Sequence, residues 1–432
     1  ADPKFTHCYS IKTGLVNETK VITSLVCSYA RCGNIEAAEL LFGSSGENSL
    51  VSLTAITQSY AEKGNMRSVL NCFRRMQKLN VKLDSVSMVS IFHGIVDLKD
   101  QILGHAFHGY AIKIGLNDSS LVTNAIISMH FKFCNITTAI SLFSEMYEKP
   151  LITWNSMISG FVQAGIPNLA VDFFLQMREF GHFPDSVTLC SLLSACSQLG
   201  HLRLGQKLHH YIIKHDIECE EFVATALIDM YSKCGSIEQA QNMFNFTTVS
   251  CLPMWNTMIS GYSWYGREEE AFLCFYKMQD QGVCPDEITF LSLLAASAHG
   301  GYVAEGIRFF SLMVEEFNMD PTLQHYACMV ALLGRAGMLR EALAFVNSVK
   351  KVDCSVWGAL LYACCIHQDV KLGECVAKKM LVMDHTNGGF YILMCGLYAA
   401  AERWGDAAMV REMMWETGGD GCSAVSQIEI CS

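Results

Sequence analysis

The sequence predicts an all-α protein, an α-solenoid superhelix of stacked helix-turn-helix repeats, and three observations carry that expectation. The chain repeats itself at a spacing of 101 residues; each repeat divides into subunits too short to fold alone; and each subunit reads as two amphipathic helices split by a glycine break. "TWNSMISG" from Thr153 returns as "MWNTMISG" from Met254. The same shift aligns Gly64 with Gly165 and Gly266, Phe73 with Phe174 and Phe275, Met76 with Met177 and Met278, and Asp84 with Asp185 and Asp286. A fixed period of this kind marks a repeat architecture.

Further sets run in parallel with the first. Ala38, Ala139 and Ala240 align, as do Phe42, Phe143 and Phe244, and His7, His108 and His209 align with Tyr9, Tyr110 and Tyr211 two residues on. The period therefore holds three related subunits, 31, 35 and 35 residues long: 19–49, 50–84, 85–119; 120–150, 151–185, 186–220; 221–251, 252–286. Two more follow, 287–322 with 36 residues and 323–353 with 31. In 151–185 the first helix carries Met157, Ile158 and Phe161, the break falls at "QAGIPN", and the second helix carries Ala170, Phe173, Phe174 and Met177. That is helical spacing, and "FPD" punctuates the exit. A single hairpin of this size cannot bury its apolar face, so each must stack on its neighbours and leave a long concave surface.

Composition narrows the class of function. Apolar residues make up 51% of the 432 and charged ones 17%, enough for a core and too few charges for a disordered tail. No apolar run reaches the roughly 18 residues a membrane span needs, so no membrane partner is expected. The twenty cysteines are scattered without a C-x-x-C pair, and read as reduced core fillers rather than zinc ligands. The formal net charge of −11 argues against a broadly basic surface that grips phosphate. A nucleic-acid partner would need local contacts to bases.

The alternation of 31- and 35-residue subunits, with "YSKCGSIEQAQNMF", "WNTMISGY" and "FYKMQDQGVCPD", resembles the PLS class of plant pentatricopeptide repeat (PPR) proteins. Tetratricopeptide repeats have a uniform period of about 34, which the mixed lengths do not fit. Beyond 353, "SVWGALLYACCIHQDVKLGE" and "GGFYILMCGLYAAAERWGDAAMVREMM" resemble the two E-type motifs of that class, spanning 354–420. The closing "GCSAVSQIEI" within 421–432 is similar to its terminal element, with Ala424 where Trp is expected. Residues 1–18 read as the second helix of a partial repeat, so the chain starts in mid-repeat as a fragment would, and "ADP" resembles a vector remnant.

The resemblance implies recognition of single-stranded organellar RNA at one base per repeat, read by the fifth and last residues of each subunit. Thr54 with Asp84 resembles a pairing for guanine; Asn155 with Asp185 and Asn256 with Asp286 resemble pairings for uracil. In the 31-residue subunits Thr23, Asn124 and Thr225 imply purine, pyrimidine and purine, although Ser49, Pro150 and Cys251 depart from the Asp or Asn expected last. Val89 with Ser119, Cys190 with Glu220, Leu291 with Thr322, and Ala327 with Asp353 make no recognisable pair. At the second position Val51 and Ile152 fit the aliphatic residue that packs on a base, and Pro253 fits poorly. The expected RNA, 5′ to 3′, is purine, G, any, pyrimidine, U, any, purine, U, any, any. The chemistry stands apart from the family: a carboxylate only accepts hydrogen bonds, so it favours the ring N–H of uracil or guanine.

Plainer readings compete. Asn or Asp at these places can cap helices, although their recurrence in register favours a reading role. Trp154 and Trp255 suggest base-stacking platforms, yet stacking of hairpins requires buried apolar groups there. His7, His108 and His209 lie too far apart to share a metal and read as interface residues, and Cys364, Cys365 and His367 in "YACCIH" read as packing. No cofactor or small-molecule substrate is implied, and no enzyme: there is no P-loop, G-x-S-x-G or H-E-x-x-H. The H-x-E with P-C-x-x-C of the DYW deaminase domain that some members of the class carry is also absent. By resemblance the chain would be the site-recognition factor for C-to-U editing in a mitochondrion or chloroplast. Its E-type region 354–432, with nine acidic and five Lys/Arg residues, would recruit a deaminase in trans. Splicing, processing or stabilisation of an organellar transcript is the alternative within RNA biology, and a protein-binding scaffold is the alternative outside it.

Overall fold

Glycine breaks and the spacing of apolar residues are realised as helical hairpins. The computed structural model describes residues 3–44, 50–79, 83–217, 220–247, 251–349, 352–383 and 388–416. Among them are twenty-five α-helices and no strand. By internal contacts the chain forms two compact units, 1–201 and 202–432, the division falling between the two helices of subunit 186–220.

In the first unit a lone helix, Pro3–Lys12, precedes hairpins whose first helices begin at Thr19, Leu50, Ser85, Ser120 and Leu151, and the helix Ser186–Leu199 closes it. In the second unit the helix Leu202–Lys214 precedes hairpins whose first helices begin at Glu221, Leu252, Glu287, Leu323, Cys354 and Gly388. Within each unit every first helix packs on the first helix of the next hairpin, and most second helices pack on their own first helix and on the next one. Each unit is thus an α-solenoid, with first helices in one layer and second helices in the other. The tail 421–432 lies outside the described residues.

Subunit length is expressed in the second helix. In the 31-residue subunits it has 10 residues, as in Ile136–Glu145 and Ile237–Phe246; in the 35-residue ones it has 13, as in Pro167–Glu179 and Glu268–Asp280. The extra residue of the 36-residue subunit is absorbed differently. Its second helix, Val303–Ser311, runs on into a π-helical turn, Leu312–Glu316. An i→i+5 turn takes up one more residue than an α turn without breaking the axis.

The hairpin bend uses a left-handed backbone, hence glycine, at Gly64, Gly165 and Gly266 with φ of 67°, 73° and 64°. Between hairpins the approach is close. A Cβ on Gly160 would lie 2.3 Å from the Phe131 ring, and that ring stacks edge-on against Phe161. Trp154 is fully buried beside Phe143 and Phe173, and Trp255 is buried beside Phe244, so both tryptophans serve packing. Burying each such side chain contributes about 25 cal/mol per Å² of apolar surface removed from water.

The recurring histidines are interface residues that bond to the next hairpin. His7 Nδ1 lies 3.1 Å from the Tyr29 hydroxyl and His209 Nδ1 lies 2.8 Å from that of Tyr231. In the middle copy the partner is His130, whose Nε2 is 3.2 Å from His108 Nδ1. Burial pushes the His130 pKa down to about 4, with His108 and His105 adding to the effect. In "YACCIH" Cys364 is buried and His367 Nε2 bonds to the Gly334 carbonyl at 2.8 Å, both within the stack of hairpins.

Candidate nucleic-acid interface

The junction between one hairpin and the next brings three side chains together. Asn155, on the first helix Leu151–Gln163, is 7% exposed. Asp185 ends the subunit and caps the next first helix, Ser186–Leu199, by accepting from Thr188 N at 2.8 Å. Thr188 completes the group: its hydroxyl lies 2.5 Å from Asn155 Oδ1 and 2.7 Å from Asp185 Oδ1. Asn155 Nδ2 is 3.0 Å from each carboxylate oxygen of Asp185. Because a carboxylate only accepts, the amide must turn its N–H₂ toward Asp185 and its carbonyl toward the hydroxyl. The orientation of Asn155 is fixed by its neighbours.

The arrangement returns 101 residues later. Asn256 Nδ2 donates to Asp286 Oδ1 at 3.0 Å, the Thr289 hydroxyl donates to Asn256 Oδ1 at 2.6 Å, and Asp286 caps Glu287–Gly300 through Thr289 N at 2.9 Å. In the 50–84 subunit the same places hold Thr54, Asp84 and Ser87. The Thr54 and Ser87 hydroxyls lie 2.8 Å apart, and Asp84 caps Ser85–Leu98 through Ser87 N at 2.9 Å. Capping and pairing are therefore combined in one carboxylate, while Asn155 and Asn256 sit inside their helices and cap nothing.

Chemically, each Asn–Asp–Thr group keeps partial capacity. Asn has two N–H donors and a carbonyl with two lone pairs, and one side of each is taken. Asp185 Oδ1 is bonded to Thr188 and to Asn155, leaving Oδ2 the less occupied acceptor. On the same helix face Val51 and Ile152 are both 59% exposed. Pro253 is likewise exposed, within the first two residues of its helix, where a missing N–H does no harm.

The 31-residue subunits are built otherwise. Asn124 is buried with its Oδ1 unpartnered, and the Thr153 hydroxyl, which stands where Thr188 and Thr289 do, is also unpartnered. Pro150 in place of Asp supplies no carboxylate to hold that amide. Thr225 donates its hydroxyl to the Glu221 carbonyl of its own helix at 2.6 Å. Thr23 is half-buried, and Ser49 lies outside the described residues. The structure thus assembles Thr54, Asp84, Asn155, Asp185, Asn256 and Asp286 into hairpin junctions, whereas the subunits of Asn124 and Thr225 end in Pro150 and Cys251, which supply no carboxylate. Sequence reading missed Ser87, Thr188 and Thr289, although a hydroxyl at every 101st residue was their signal.

No group of three His, Cys, Asp or Glu able to hold a metal occurs among the described residues, and no described helix is long and apolar enough to cross a membrane. Stacked hairpins in which an Asp-capped polar group recurs every 101 residues define a helical-repeat protein. The chain belongs to the pentatricopeptide repeat family. The model of the PPR repeat family matches 149–198 and 251–299, a PPR repeat model matches 21–48, 51–81 and 222–246, and the E motif model matches 367–429.

Among its relatives, a pentatricopeptide repeat-containing protein of Arabidopsis thaliana is 47% identical over 98% of this chain and 61% of its own length. A second from that plant, a putative member named as mitochondrial, is 35% identical over 98% of this chain and 70% of its own length. A third, named as chloroplastic, is 34% identical over 97% and 52%. The chain therefore spans roughly half to two thirds of the length of these relatives. The crystal structure of the pentatricopeptide repeat protein PPR10 from maize overlays with a TM-score of 0.65 at 18% identity, over 93% of this chain and 59% of that one; the likeness is one of fold.

Proposed function

We propose that the chain is a sequence-specific reader of single-stranded RNA that recognises sites for organellar C-to-U editing, and that its E-type region recruits a deaminase in trans. The observation that carries the reading is the Asn–Asp–Thr group, built twice in register, in which neighbouring side chains orient the amides of Asn155 and Asn256. Pre-orientation lowers the ordering cost of binding. The carboxylate repels the N3 lone pair of cytosine and accepts the N3–H of uracil, while the amide's second donor or lone pair meets a neighbouring carbonyl or N–H. Thr54 above Asp84 is shorter than Asn, which suits a purine. Val51 and Ile152, exposed beside these groups, offer apolar contact to the base face.

The E motif match at 367–429 supports editing over splicing or stabilisation. Relatives named as mitochondrial and chloroplastic support an organellar setting. The experiment is equilibrium binding of a ten-nucleotide RNA with G and the two U at the expected positions, against the same RNA with both U changed to A. A preference of tenfold or more for the matched RNA supports the reading. Equal binding of both removes it and returns the chain to the class of protein-binding scaffolds.

A further inference from the structure

Trp264 ends the first helix of the 252–286 hairpin, and unlike the buried Trp154 and Trp255 its indole is 60% exposed. It follows Asn256 by eight residues, a little over two turns, and so lies about 80° around the helix and about 12 Å further along the axis. Side chains on a helix lean toward its N-terminus, which brings the indole back toward Asn256. Both residues line one cavity of about 220 Å³, together with Lys233, Ser260, Ile288 and Ser292. Ile288 is the exposed second residue of the next subunit, in the place Val51 and Ile152 hold in theirs. Lys233 is paired with Asp229 at 2.9 Å, and its Nζ stands 5.8 Å from the indole centroid. The equivalent places in the two earlier copies of this hairpin, 50–84 and 151–185, hold Glu62 and Gln163, so among the three copies this wall is particular to one.

We propose that Trp264 is a stacking platform for a base of the RNA segment held at Asn256, with Ile288 as the apolar wall of the same slot. The proposal rests on the RNA-reading function above. An exposed indole closing a cavity that already contains a fixed amide fits a ligand with a flat aromatic face and a hydrogen-bonding edge, which is a nucleobase. Every base has a π-face, so stacking adds affinity with little preference among sequences. The amide and carboxylate supply the preference. Trp264 and Asn256 thus divide affinity and discrimination between them.

The test uses Trp264→Gln, which installs the residue found 101 positions earlier in the preceding copy of this hairpin, with Trp264→Tyr as a variant that keeps a stacking ring. Binding is measured to the matched RNA and to the RNA with A in place of both U, with circular dichroism confirming that each variant is folded. Trp264→Gln is expected to weaken both RNAs by a common factor of roughly 5 to 100, Trp264→Tyr to restore most of the loss, and RNA to quench the Trp264 emission. Unchanged affinity in folded Trp264→Gln, while Asn155→Ala still abolishes the preference for U, overturns the platform and leaves the reader intact. A wild-type chain that binds neither RNA overturns both.

Discussion

At the residue scale the carboxylates of Asp185 and Asp286 each have two roles that substitution can separate. Asp185 caps Ser186–Leu199 through Thr188 N and also holds the Asn155 amide. Asp185→Ala is expected to lower stability by about 0.5–2 kcal/mol from the lost cap and to release Asn155. Asp185→Asn keeps a capping oxygen, so urea unfolding should show it close to wild type while the preference for U over C at that position falls. A stability loss as large as that of the alanine variant would show that the charge, rather than the cap, holds the junction. Buried His130, with half-buried His108 beside it, yields a second expectation. Its surroundings are His105, His108 and Glu145, and only Glu145 favours the charged form. Because the folded His130 pKa, about 4, lies below its ordinary 6.5, the unfolded chain binds the proton more readily. Stability is then full above pH 6.5 and declines as pH falls toward 4. His130→Tyr reproduces the His–Tyr pairs of the other two copies and should flatten that decline in melting temperature.

Hairpin elements are governed by closeness of approach. Gly160 faces Phe131 at a distance no Cβ tolerates, and Gly160→Ala is expected to destabilise by about 1–3 kcal/mol through overpacking. Gly109 sits on the helix Gln101–Lys113 with nothing near its Cβ direction. Gly109→Ala should stabilise by about 0.5–1 kcal/mol from helix propensity alone. Denaturant midpoints of the two variants should move in opposite directions, and a common shift would show that the packing at Gly160 is looser than the structure has it. The hairpins themselves were legible because a 3.6-residue apolar period and a recurring Gly encode helix, bend and helix without reference to neighbours. The π turn at Leu312–Glu316 was not, since a 36-residue length says that one residue is extra but not which turn absorbs it.

Over the whole molecule, charge bears on the RNA binding proposed above. With a net charge of −11 few phosphates can be neutralised, and each neutralised phosphate of a single strand adds about −0.7 to the slope of log K against log salt. RNA affinity should therefore decline with salt at a slope shallower than about −3, measured between 50 and 200 mM. A steep slope would mean that phosphate contacts rather than base contacts hold the RNA.

Periodicity and glycine placement are local properties of the chain, and they alone predict helical hairpins and a register in which Thr54, Asn155 and Asn256 fall at equivalent points. Tertiary structure decided which way each amide faces, that Thr188 and Thr289 hold it there, and that Asn124 is buried with its Oδ1 unpartnered. It also decided that Trp255 is buried while Trp264 is open. Those outcomes depend on what the neighbouring hairpin presents across the junction, and a hydrogen bond between residues 30 or more apart exists only once both hairpins are stacked.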